Sequence, residues 1–151
     1  MKKQQSGFSL IELLIVVAII LIIAAIAIPN LLRSKMAANE ASAVGSLRTI
    51  NTSGVAFSIT YGNFPHILGD LGPSTAPTST AADLIDSALV TGSKSGYKFS
   101  YAAATPYQQY SIQASPITPG VTGQRYFFTD QSGVIRVNLT APAVAADNPL
   151  A

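Results

Sequence analysis

From Leu13 to Ile28 the chain is apolar without interruption, and from Phe8 to Leu32 its one charged residue is Glu12. A helix over residues 8–28 is about 30 Å long, the thickness of a bilayer's hydrocarbon core. Only Pro29, near the far end, disturbs the run. The segment ahead of it, Met1–Gly7, is polar and carries Lys2 and Lys3. Flanking basic residues hold their end of a span in the cytoplasm, so the remainder of the chain is expected across the membrane.

Three readings of this segment compete. It is a plain anchor, a secretory signal cut after the small-x-small stretch Ala25-Ile26-Ala27, or a leader cut ahead of the apolar run at Gly7–Phe8. Glu12 separates them. A carboxylate near the start of an apolar helix is costly in lipid, and a discarded signal gains nothing from it. Buried charge is kept where it has a partner. A cut after Gly7 creates one, because the new ammonium of Phe8 lies four residues before Glu12, the spacing of one helical turn.

The stretch Gly7-Phe8-Ser9-Leu10-Ile11-Glu12-Leu13-Leu14 resembles the amino-terminal signature of type IV pilins and of type II secretion pseudopilins. The resemblance implies that a membrane peptidase cuts between Gly7 and Phe8 and methylates the new amino terminus of Phe8. It maps the family's glutamate onto Glu12 and its helix-breaking proline onto Pro29. The signature covers roughly the first 30 residues. A looser likeness to small bacterial pilins and major pseudopilins extends over Ala37–Thr52, Tyr61-Gly62-Asn63-Phe64-Pro65 and Leu68–Leu71. Two features of the family are missing. The acidic calcium loop usual near the pseudopilin carboxyl terminus is reduced to Asp130 and Asp147, and the disulfide of many pilins has no cysteine to form it.

Composition narrows the remaining classes. Charged residues are 11% of the chain, cysteine is absent and His66 is the one histidine. That excludes disorder by charge, a disulfide scaffold, a thiolate zinc site, a cysteine nucleophile and any histidine-based triad or metal cage. Removing Lys2 and Lys3 from nine basic residues leaves seven, equal to the seven acidic ones. The basic balance therefore belongs to the leader, and no direct nucleic-acid binding is expected.

Beyond the span, residues 30–61 suit a helix that continues out of the bilayer. Leu47, Ile50, Gly54, Phe57 and Tyr61 form one apolar stripe in steps of three and four. Packing against the chain's own sheet explains the stripe, with a seam between subunits as the alternative. Gly45 and Gly54, each costing about 1 kcal/mol in a helix interior, suggest close backbone approach. Eight of the nine prolines lie after Tyr61. Residues 62–96 read as a loop region, with a short helix over Ala82–Leu89. Strands are expected at Tyr97–Tyr101, Tyr107–Ala114, Gln124–Thr129 and Val134–Asn138, the last two joined by Asp130-Gln131-Ser132-Gly133. Residues 97–140 thus form an antiparallel sheet, and 141–151 a loose tail. The fold class is α+β: one long amino-terminal helix, its first half (8–29) transmembrane, packed by its second half on about four strands.

Enzyme chemistry is sparse. Gly92-Ser93-Lys94-Ser95-Gly96 lacks the earlier glycine of a phosphate loop and has lysine where a nucleophile elbow has serine, so it reads as a turn. Asp83 and Asp86 read as helix-start charges rather than an acid–base or calcium pair. The sequons at Asn51 and Asn138 read as accidental, and the aromatics as core. No catalytic residue, cofactor or metal is expected.

The resemblance implies a non-enzymatic subunit of a homo-oligomeric helical filament. Its partners are the inner membrane, a peptidase-methyltransferase and a pilus or secretion assembly machinery. The chain is expected in a bacterial inner membrane with its amino terminus cytoplasmic, then in an extracellular pilus or a periplasmic pseudopilus. A pseudopilin is the second reading, a membrane-anchored binding module the third, and a secreted enzyme cut after Ala27 the last.

Overall fold

A computed structural model describes residues 7–150, so Lys2, Lys3 and the rest of the expected leader ahead of Gly7 lie outside the described residues. The chain divides into two compact units, Met1–Ser34 and Lys35–Ala151. Helix α1, Leu10–Tyr61, contributes to both. A 3-10 turn at Leu68–Leu71 and a short helix α2, Ser87–Val90, follow. Five strands complete the order: β1 Ser93–Lys94, β2 Tyr97–Ala104, β3 Gln109–Pro116, β4 Tyr126–Asp130 and β5 Arg136–Asn138.

In the first unit α1 is apolar on every side. Each large apolar side chain from Phe8 to Leu32 is exposed. It is the one described helix long and apolar enough to cross a membrane. The expected break at Pro29 is absent, because helical structure runs through that residue. Proline has no N–H, so the Ala25 carbonyl loses its helical donor there. The next side chain brings a polar group to the same turn: Asn30 Nδ2 donates to the Ile26 carbonyl at 3.1 Å.

In the second unit the antiparallel sheet runs β1-β2-β3-β4-β5 in sequence order. Its inner face carries Tyr97, Phe99, Tyr110, Ile112, Ala114 and Phe127. These form one core with Ala43, Val44, Leu47, Ile50 and Phe57 of α1 and with Leu68, Leu71, Ile85 and Leu89 from the connecting segment. The expected stripe is therefore the chain's own core face. Close backbone approach at its glycines is not found. A Cβ at Gly45 meets nothing within 4 Å, and one at Gly54 meets Tyr110 Oη at an ordinary 3.6 Å. The close approach lies elsewhere: a Cβ at Gly123 would fall 2.2 Å from Tyr97 Oη, which donates to the Arg125 carbonyl.

Two of the polar contacts of α1, made by the buried Asn51 and Glu40, tie it to the sheet and to the segment leading into β4. Burying unpaired polar groups costs roughly 1–3 kcal/mol each, so every partner matters. Asn51 is buried; its Nδ2 donates to Thr129 Oγ1 at 2.8 Å and its Oδ1 accepts from Tyr110 Oη at 2.9 Å. Burial, and then the Asp130 charge, pushes the Tyr110 phenol up to about 12, so it remains a donor at physiological pH. The second contact is a clamp. Glu40 accepts from the Gln124 and Arg125 backbone N–H groups at 2.8 and 3.1 Å, and from Arg125 Nε at 2.7 Å. Burial alone would raise its pKa, but these donors and the guanidinium charge outweigh burial and hold the carboxyl below its usual range.

The structure corrects three further expectations. The sheet has one more strand, because Ser95 (φ 49°) and Gly96 (φ 74°) reverse the chain tightly enough to pair Ser93–Lys94 with Lys98–Tyr97. The helix expected over Ala82–Leu89 is confined to Ser87–Val90. The N–H groups of Ala82, Asp83, Leu84 and Ile85 are already taken by carbonyls of residues 70–72, and Asp83 sits at φ 56°. The tail is not loose. Val137 N–H donates to the Asn148 carbonyl, Leu150 N–H to that of Ile135, and Gln113 Nε2 to that of Ala143. Ala143 is fully buried, and Phe128, on the outer face by alternation, is 8% exposed beneath this cover. The turn at Gly133 (φ 73°) forms as the sequence indicates.

Two measurements test this account. Replacing Asn51 with Ala should lower stability by about 2–3 kcal/mol, because Thr129 and Tyr110 lose their buried partner. The exposed Arg48→Ala should change it by under about 0.5 kcal/mol. Urea melts of the detergent-solubilised chain read both. Glu40 has a lowered folded-state pKa, so its contribution is present above the ordinary value of 4.5 and lost as pH falls through the folded value. Glu40→Gln should cost about 1–2 kcal/mol at pH 7 and flatten the acid limb below about pH 4.5 in the same melts.

Candidate processing and assembly site

Three of the four candidate residues, Gly7, Phe8 and Glu12, lie together at the start of α1. Gly7 and Phe8 precede the helix in irregular backbone; Gly7 is exposed and Phe8 is 81% exposed. Leu13 N–H donates to the Ser9 carbonyl at 3.2 Å, which closes the first helical turn and makes Ser9 the residue that caps it. Glu12 is the third helical residue. Its Oε2 accepts from the Ser9 backbone N–H at 3.0 Å.

This contact is the carboxylate half of a capping box, Ser-x-x-Glu. The first N–H groups of a helix have no internal acceptor, and the helix dipole is positive at that end. Both draw the Glu12 carboxylate back toward the chain start. It is thus held against the residue directly after Phe8, and among the described residues its Oε1 has no hydrogen-bond partner. Reading Glu12 for its charge alone overlooks Ser9, although the Ser9-x-x-Glu12 spacing is plain in the sequence. Pro29 lies at the far end of the same apolar stretch, remote in sequence from the other three residues.

The other sequence candidates do not converge. Asp86 caps α2 through the Leu89 N–H at 2.7 Å and pairs with Lys94 at 2.7 Å, whereas Asp83 accepts from the Ser74 N–H. Residues 92–96 are β1 and its turn. His66 is exposed and stacks on Tyr107 with ring centroids 3.9 Å apart. Among the described residues no group of three or more histidines and carboxylates converges on a metal position. Neither sequon asparagine is free: Asn51 is buried and doubly bonded, and Asn138 Nδ2 donates to Asp147 Oδ1.

Residues 2–28 match the family described as the prokaryotic N-terminal methylation motif. Over 38 residues the chain is 58% identical to the type IV wide pilus major component PilA4 of Thermus thermophilus, which covers 25% of this chain and 29% of that protein. No solved structure matches the chain. The methylation motif thus lies on the start of the apolar helix α1, and the likeness to a type IV pilus component extends over a quarter of the chain.

Proposed function

We propose that the chain is the structural subunit of a type IV pilus-like filament, processed between Gly7 and Phe8 and polymerised through α1. The observation that carries this reading is the Glu12 carboxylate, drawn to the start of an otherwise apolar helix beside an exposed Gly7–Phe8 bond. Cleavage leaves an ammonium on Phe8, one residue from the N–H that Glu12 already holds. In the inner membrane, with the amino terminus cytoplasmic, lipid covers the apolar side chains. In the filament the helices of neighbouring subunits cover them instead, so little hydrophobic burial is lost on extraction.

Glu12 gives the exchange its direction. A carboxylate at the centre of a lipid-embedded helix costs about 2.5–3.5 kcal/mol, less near the interface. In the bundle Glu12 neutralises the Phe8 ammonium of the adjacent subunit. A head-to-tail contact of this kind does not close on itself and so propagates a helical fibre. The unsatisfied carbonyl ahead of Pro29 gives that stretch of α1 the freedom to adjust as helices pack. A peptidase-methyltransferase and an assembly machinery are the partners this route requires. Likeness to a pilus component favours a pilus over a secretion pseudopilus as the product.

Two experiments decide the matter. Mass spectrometry of the mature protein should show loss of seven residues and one added methyl on Phe8; a chain beginning after Ala27 would instead identify a secretory signal. Glu12→Ala should insert and be cleaved normally, yet reduce sheared surface fibres at least tenfold by electron microscopy and immunoblot. Wild-type fibre yield from that variant removes the assembly role.

A further inference from the structure

The two edges of the sheet are treated differently. At β5 the chain covers its own edge: Val137 and Ile135 bond to Asn148 and Leu150, and Arg136 bridges to Pro149. At the other end β1 covers only Tyr97 and Lys98 of the eight-residue β2. Phe99 N–H, pointing away from β3, still finds the Gly92 carbonyl at 2.7 Å. Backbone groups alternate along an antiparallel strand, so Tyr101 and Ala103 also direct their N–H and C=O away from β3. Ala104, of the opposite parity, fits this, since its carbonyl turns inward to Tyr107 N–H. Among the described residues nothing bonds to the backbone of Tyr101 or Ala103 on that open side.

Exposed edges are ordinarily blunted by charge, proline, a bulge or a cover. Ser100-Tyr101-Ala102-Ala103-Ala104 has none of these, and Ser100, Ala102 and Ala104 are exposed on the outer face. The open stretch offers two donors and two acceptors in a self-complementary order. A two-fold axis at Ala102 sets Tyr101 of one copy opposite Ala103 of the other and satisfies all four groups on each. The same register opposes Ser100 to Ala104 and Ala102 to itself, so it brings no charge against charge and no bulky group against another.

We propose that this edge of β2 is an interaction surface for a second copy of the chain, paired antiparallel about Ala102 into one continuous sheet. The contact is isologous and closes on itself, unlike the head-to-tail contacts that propagate a fibre. It therefore links subunits laterally, pairing chains or tying neighbouring filaments together. It rests on the globular unit alone and stands or falls independently of Glu12.

The chain contains no cysteine, which makes the test direct. Cα atoms of a non-hydrogen-bonded antiparallel pair lie about 4.5 Å apart, within disulfide reach. In the detergent-solubilised full chain, Ala102→Cys should oxidise to a dimer on a non-reducing gel. Ser100→Cys alone and Ala104→Cys alone should not, because their like positions stand roughly 13 Å apart along the strands. Mixing those two variants should restore a dimer. The same pattern is expected in sheared fibres. Equal cross-linking of all single variants would mean random collision and overturn the proposal. A thiol at position 102 that stays monomeric and reacts freely with maleimide overturns it too. A monomeric thiol shielded from maleimide in intact cells places a different strand on the edge and likewise rejects self-pairing.

Discussion

An apolar helix with no cover from its own chain is the constraint on which everything else depends. Every large side chain from Phe8 to Leu32 faces outward, and burying one such side chain is worth roughly 1.5–3 kcal/mol. The described chain does not satisfy this segment by itself. In the proposed function its cover comes from outside, from lipid or from other helices, and both are apolar. A subunit moving between two such surroundings would not be held by hydrophobic burial in either one, and the polar features at the helix start, Ser9 and Glu12, would decide between them.

The second unit works under the opposite rule. There α1 offers a stripe of Val44, Leu47, Ile50 and Phe57 that the sheet and the connecting segment bury together. Apolar packing fixes the pairing of helix and sheet but tolerates sliding. The Asn51 and Glu40 contacts do not, since each leaves buried groups unsatisfied if the register slips. Glu40 reaches the backbone of residues 124 and 125, and Asn51 reaches β3 and β4. Together they pin a helix to strands far away in sequence. No disulfide is needed for the carboxyl-terminal segment, because bonds to β5 and to Gln113 hold it down.

Cover is also distributed unevenly over the sheet. The final residues protect β5 and the outer face around Phe128, while β1 ends too soon to protect β2. A chain that masks one edge and leaves the other bare of charge and proline presents a single edge at which another strand can add.

Much of this was written in local chemistry. The apolar run, Glu12 four residues after Phe8, the stripe on α1 and the glycine turn at Gly133 depend on residues close together in sequence, and each can be read without coordinates. The Ser9 cap belongs to this group as well, being a spacing of three. Tertiary structure decided what depends on distant partners. Carbonyls of residues 70–72 captured the N–H groups that would have started a helix at Ala82, the tail found a strand edge to bind, and Glu40 found Arg125. The first two outcomes rest on backbone groups, which are alike in every residue and leave no mark in the order of side chains, and the third joins side chains 85 residues apart.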